Sequence, residues 1–195
     1  MSSNDVDAPS ELGLPVGAWR SDRQRSHIGF EVKTFWGLAT VKGTFVRFDG
    51  SLQVAPEAAT GELSIDATSL DTSNLRRDEH LRSAEFFDIE RHPTITFAVA
   101  AITSRSGGGL LITGDLQVAS KTLRLQLPVE LDRQDRGRLR LRTSATVSRE
   151  EVGMTWNRAG MVRGGARLVV DVELEPAHET LPGSNGVPTA QPVAR

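Results

Sequence analysis

Between Trp19 and Pro176 one rhythm recurs, in which apolar and polar residues alternate along successive segments. "SHIGFEVK" sets Ile28, Phe30 and Val32 on one face and His27, Glu31 and Lys33 on the other. "TITFAVAAI" sets Ile95, Phe97 and Val99 against Thr94, Thr96 and Ala98. "TLRLQLPVEL" sets Leu123, Leu125, Leu127, Val129 and Leu131 against Thr122, Arg124, Gln126 and Glu130. A period of two is that of a β-strand with one buried face. "RLRLRTSATV" and "ARLVVDVELE" repeat it, and "TVKGTFVRFDG", "GELSIDAT" and "LLITGDLQVA" bring the total to about eight strands. Short segments such as "DG", "SGGG" and "DRQDRG" join them, which predicts antiparallel neighbours. Pro128 falls on the outward set of its strand, where it cannot donate to a ladder, and predicts an edge, a bulge or a strand end.

Two stretches read as helix. One opens at Asn74, a candidate N-cap, and packs Arg76, Arg77, Asp78, Glu79, His80 and Arg82 ahead of Phe86 and Phe87. The other is "SREEVG", Ser148 to Gly153, with Ser148 as its candidate cap. An all-β antiparallel sheet with so little helix to cover it must roll into a barrel or pair as a sandwich. A barrel of about eight strands is just filled by its side chains or holds one slender ligand. Since the inner faces are aliphatic and aromatic, such a ligand is an apolar chain; a sandwich core with no cavity gives the same pattern.

Composition narrows the function. A chain of 195 residues predicts one domain, spanning residues 19–176 between flanks (1–18 and 177–195) that are rich in Ser, Pro, Gly and Asn and read as flexible tails. With 23 basic and 25 acidic residues the net charge is -2, so no field draws in nucleic acid or an anionic membrane surface. The absence of cysteine removes disulfides, thiolate nucleophiles and thiolate zinc sites. His27, His80, His92 and His178 lie scattered without an i, i+4 pair, and no metal or other cofactor is expected. The N-terminus has no basic segment followed by an apolar one, and no run is long enough for a membrane span, so a cytoplasmic chain without stable membrane insertion is expected.

Longer strings carry a resemblance. "SHIGFEVK", "WGLATVKGTFVRFDG", "SIDATSLDTSNLRRDEHLRSAEFFDIERHPTITF", "ITGDLQVASKTLRLQLPVEL" and "REEVGMTWN" closely resemble, in order and spacing, the YceI-like family of lipocalin-like polyisoprenoid-binding bacterial proteins. The resemblance implies an antiparallel barrel that binds and carries or sequesters a polyisoprenoid or similar amphiphilic lipid without turnover. A homodimer is compatible with it. The chain departs from the family at Ala119–Thr122, where relatives often have His-Gly-Val-Thr, and at Thr34, where they often have histidine; no role of those histidines carries over.

On this reading Ile28, Phe30, Val32, Ile95, Phe97, Val99, Leu123, Leu125, Leu127 and Val129 face the ligand, and the segment from Asn74 to Phe87 lies across one end. Phe86 and Phe87 plug the mouth, and Trp156 lines it. Two readings apply to the charged cluster: Arg76, Arg77, Asp78 and Arg82 form salt bridges that fix the loop, or Arg77 or His80 meets a ligand headgroup. The competing function is an enzyme acting on such a lipid, with His80 and Asp78 or another nearby carboxylate as its catalytic groups.

Overall fold

A computed structural model describes residues 12–154 and 162–177. Among these residues are β1 (Gly17–Ser21), β2 (His27–Thr34), β3 (Ala39–Phe45), β4 (Phe48–Val54), β5 (Ala59–Asp66) and β6 (Leu70–Asp71). The helix α1 (Leu75–Arg82) follows, then β7 (Thr94–Ser104), β8 (Leu110–Val118), β9 (Lys121–Arg133), β10 (Leu139–Val147) and β11 (Arg163–Pro176). Each strand pairs antiparallel with its neighbours, and β1–β4–β5–β7–β8–β9–β10–β11 returns to β1, closing a barrel of eight staves. Of the two architectures open to the sequence, the chain adopts the barrel.

Three of the staves are broken in two. β11 pairs with β1 at its C-terminal end (Ser21 opposite Leu174) and with β2 farther back (His27 opposite Asp171), so β1 and β2 are halves of one stave. β3 and β4 lie beside them, and β6 and β5 beside those. The first break is held by Asp22, whose N–H donates to Glu173 O at 2.8 Å and whose carboxylate accepts from Gln24 N and Arg25 Nη1. The third is held by Asp66, whose carboxylate accepts from Thr68 N at 2.8 Å, Thr68 Oγ1 at 2.6 Å and Arg47 Nε at 2.8 Å. Thr68 chiefly, with Arg47, holds the Asp66 carboxyl below its ordinary pKa.

The barrel's two ends differ. At the end where β1 begins and β11 finishes, Leu14, Val54, Leu110 and Leu139 are each at most 2% exposed. The segment before β1 seals it: Arg133 donates to Gly13 O at 3.1 Å, Trp19 Nε1 donates to Pro15 O at 3.2 Å, and Leu12 and Leu14 join the core. These two leucines stand in the stretch whose composition reads as a tail.

The opposite end carries α1. Asn74 Oδ1 caps it by accepting from Arg77 N at 3.1 Å, as its position before the charged run predicts. The second predicted helix, at "SREEVG", is instead a turn. Ser148 Oγ does accept from Glu151 N at 3.4 Å, but Gly153 takes φ +83° and Met154 N reaches back to Arg149 O, ending the turn. Six residues are too few to sustain a helical ladder against that termination. Pro128 marks a break in pairing: the β9–β10 ladder runs from Leu139–Arg133 to Thr143–Val129 and stops there, while β10 continues to Val147.

Candidate functional site

The barrel encloses a cavity of about 450 Å³. Its wall follows from the period-two pattern, with bulky residues standing inward where a neighbouring stave leaves room. Phe30 lies over Gly43, and Phe97 over Gly114; a Cβ at either glycine would come within 2.5 Å of a ring carbon. The glycines let the two rings lie across neighbouring backbone instead of filling the lumen.

Ile28, Phe30, Val32, Ile95, Phe97, Val99, Leu125, Leu127 and Val129 line the cavity, as do Arg77, His80, Phe86 and Phe87. Leu123 does not; it packs against the core beyond the lined region, on the part of β9 that has parted from β10. Trp156 lies outside the described residues. Sequence parity also missed Ile102, which lines the cavity because the register of β7 on β8 shifts between Val99 and Ala101 and moves the inward set by one residue. Leu14 and the turn residues Arg149, Val152 and Met154 complete the wall without a periodic signal.

Phe87 fastens the segment after α1. Its ring meets Phe45 edge-on at 5.8 Å between centroids and lies 6.1 Å from Phe30, which is 5.9 Å from Phe45. Phe86 is half-buried, with the His80 ring edge-on at 4.9 Å.

The charged cluster holds the loop without the ion pairs expected among its members. Asp78, 3% exposed, accepts from Thr72 N at 3.0 Å and from the Thr72 hydroxyl. Arg77 donates through Nε to that hydroxyl and through Nη2 to Thr72 O, both at 2.7 Å, and Arg82 donates to Leu70 O at 2.6 Å. Backbone carbonyls and one threonine therefore take the partners that the sequence assigns to opposite charges. His80 pairs at its Nε2 with Glu85 Oε2 at 2.8 Å, on the exposed side, while Asp78 is committed to Thr72. The geometry thus defines an apolar-lined barrel with a helical cover, an architecture suited to one slender amphiphile.

A family model described as the YceI-like domain matches residues 19–175, and the chain belongs to that family. Among curated relatives, a UPF0312 protein of Ectopseudomonas mendocina is 34% identical over 106 residues, covering 52% of this chain and 55% of the relative. Protein YceI of Escherichia coli O157:H7 is 33% identical over 125 residues, covering 61% and 64%. The chain thus spans between half and two thirds of the length of the curated relatives it matches. Among solved structures, Burkholderia cenocepacia BcnA is similar with a TM-score of 0.71 at 19% identity, covering 78% of this chain and 98% of that one. A polyisoprenoid binding domain from Saccharophagus degradans is similar with a TM-score of 0.67 at 13% identity, covering 82% and 98%. These likenesses show a shared fold.

Proposed function

We propose that the barrel binds a long apolar ligand, a polyisoprenoid or similar amphiphilic lipid, and carries or sequesters it without chemical turnover. The observation that supports this is the cavity of about 450 Å³ with a wall of aliphatic and aromatic side chains drawn from every stave. A carrier requires only an apolar tube, whereas an enzyme requires polar groups within hydrogen-bond reach of a reacting atom. In support of the family reading, the similar Saccharophagus domain is described as polyisoprenoid binding. No helix among the described residues is long and apolar enough to cross a membrane.

The competing enzyme would use the His80–Glu85 pair, which lies beside the cavity. Native mass spectrometry of the purified protein, followed by lipid extraction, separates the two. The carrier reading expects wild type and His80→Ala to release the same unmodified lipid in comparable amounts. An altered product released by wild type and absent from His80→Ala rejects the carrier in favour of the enzyme.

A further inference from the structure

Arg149 is the one charged side chain among the described cavity-lining residues that is also fully inside the protein, at 8% exposure. It stands just past the end of β10, on the stretch where β10 has left β9. Its Nε donates to Gly164 O at 3.3 Å, where β11 bulges against β2 and Gly164 takes φ +70°. Among the described residues this is its only hydrogen bond, and it has no carboxylate partner. Arg149 also lines the apolar cavity, and the remaining N–H groups of its guanidinium have no hydrogen-bond partner or counter-charge among the described residues. A buried cation left in that state is costly, and the usual arrangement is an anion in bidentate contact with the fork.

We propose that Arg149 is an anion site inside the barrel, holding the carboxylate or phosphate head of a single-chain amphiphile whose tail fills the lumen. The inference rests on the carrier reading and names the ligand class that reading leaves open. Arg77 and His80 also line the cavity, but Arg77 is engaged by Thr72 through two hydrogen bonds and His80 by Glu85 on the exposed side, so neither offers an uncommitted buried charge.

Calorimetric titration of lipid-depleted protein with two matched pairs tests this: hexadecanoate against hexadecanol, and farnesyl diphosphate against farnesol. Wild type is expected to bind at least one anion about ten- to a hundred-fold more tightly than its alcohol, the range of a charge-assisted hydrogen bond. The pair with the larger ratio identifies the head as carboxylate or phosphate. Arg149→Met is expected to bring that ratio within about threefold while alcohol binding persists, because only the head contact is lost. If Arg149→Met does not fold, Arg149→Lys decides: it keeps the charge but loses the fork, and a three- to tenfold loss of anion affinity is expected. Unchanged anion affinity in the variant that folds overturns the proposal, as does a preference removed by Arg77→Ala and retained by Arg149→Met. Equal binding of anions and alcohols by wild type overturns the anion site alone. Binding of none of the four probes overturns the carrier reading itself.

Discussion

The two ends of the barrel are built on opposite principles. At the sealed end, Leu14, Val54, Leu110 and Leu139 meet with almost no exposed surface, and the hydrogen bonds to Gly13 and Pro15 only hold the seal in place. At the helical end, the cover is tied down by polar contacts: Asp78 and Arg77 to Thr72, Arg82 to Leu70, and one aromatic anchor, Phe87. Packed hydrocarbon resists opening over its whole area. A polar latch with few contacts opens as a unit, as a path for a ligand requires. Stability and access are thereby assigned to different ends of one molecule.

The sharpest way to break this contrast is to empty a position at each end. Leu139→Ala removes a side chain that is 1% exposed, and urea unfolding is expected to show a loss of about 2–5 kcal/mol. Phe86→Ala, at a half-buried position of the cover, is expected to cost about 1–2 kcal/mol and to raise the rates of ligand entry and exit seen by stopped-flow fluorescence. Equal losses of stability at the two ends would erase the distinction. Between the two in size is Asp78→Ala, which strands the N–H and the hydroxyl of Thr72; a loss of about 2–3 kcal/mol is expected. Hydrogen exchange should place that loss in residues 72–93, with the amides of β8 to β11 keeping their protection until global unfolding.

The lumen separates capacity from stability. Val99→Phe adds bulk into the cavity that Val99 lines, so it is expected to lower the amount of lipid co-purifying with the protein while changing stability by under about 1 kcal/mol. A large destabilisation there would mean that the space is not available to a ligand.

Acid probes the break between β5 and β6. The folded-state pKa of Asp66 is lowered, so its contribution to stability is present above the ordinary carboxylate value of about 3.9 and is lost as pH falls through the lower folded value. Asp66→Asn is therefore expected to melt below wild type at neutral pH, with the gap narrowing under acid conditions that protonate Asp66 in both folded and unfolded chains. The smallest effect belongs to the exposed Arg124–Asp115 pair at 2.7 Å on the outer wall, where Arg124→Ala is expected to change stability by less than about 1 kcal/mol.

The wall was legible in the sequence because a strand with one buried face writes its orientation at every second residue. The inward set of β2 needed nothing else, that of β9 lines the cavity at Leu125, Leu127 and Val129 but not at Leu123, and Pro128 marks where β9 and β10 part. The parity fails at Ile102, where the run "VAAI" absorbs one extra residue without a polar interruption. Leu12 and Leu14 offered only two apolar positions among Gly, Pro and Ser, too short a pattern to register as a strand, and their burial depends on Arg133 and the far end of the barrel. Arg149 was the least legible. The segment "SREEVG" reads as a short helix, and the carbonyl that Arg149 bonds, Gly164 O, lies outside it. For the charged cluster the sequence leaves open salt bridges that fix the loop or a headgroup contact by Arg77 or His80; the partners of Arg77, Asp78 and Arg82 are Thr72 and backbone carbonyls, which charge patterning does not reveal.

The closure of the ring has a kinetic consequence. β1, near the start of the described chain, forms its ladder with β11, where Trp19 faces Pro176 and Arg20 bonds Glu175 across 155 residues of sequence. β7, β8 and β9 form from neighbouring hairpins and can assemble as soon as they are synthesised, but the last seam waits until the ribosome has released β11. Until then β1 and β2 have unpaired edges on the side that β11 will cover. Until β11 joins, the sheet of the other staves is an open trough with an apolar inner face, and the final fourteen-residue strand turns it into a vessel.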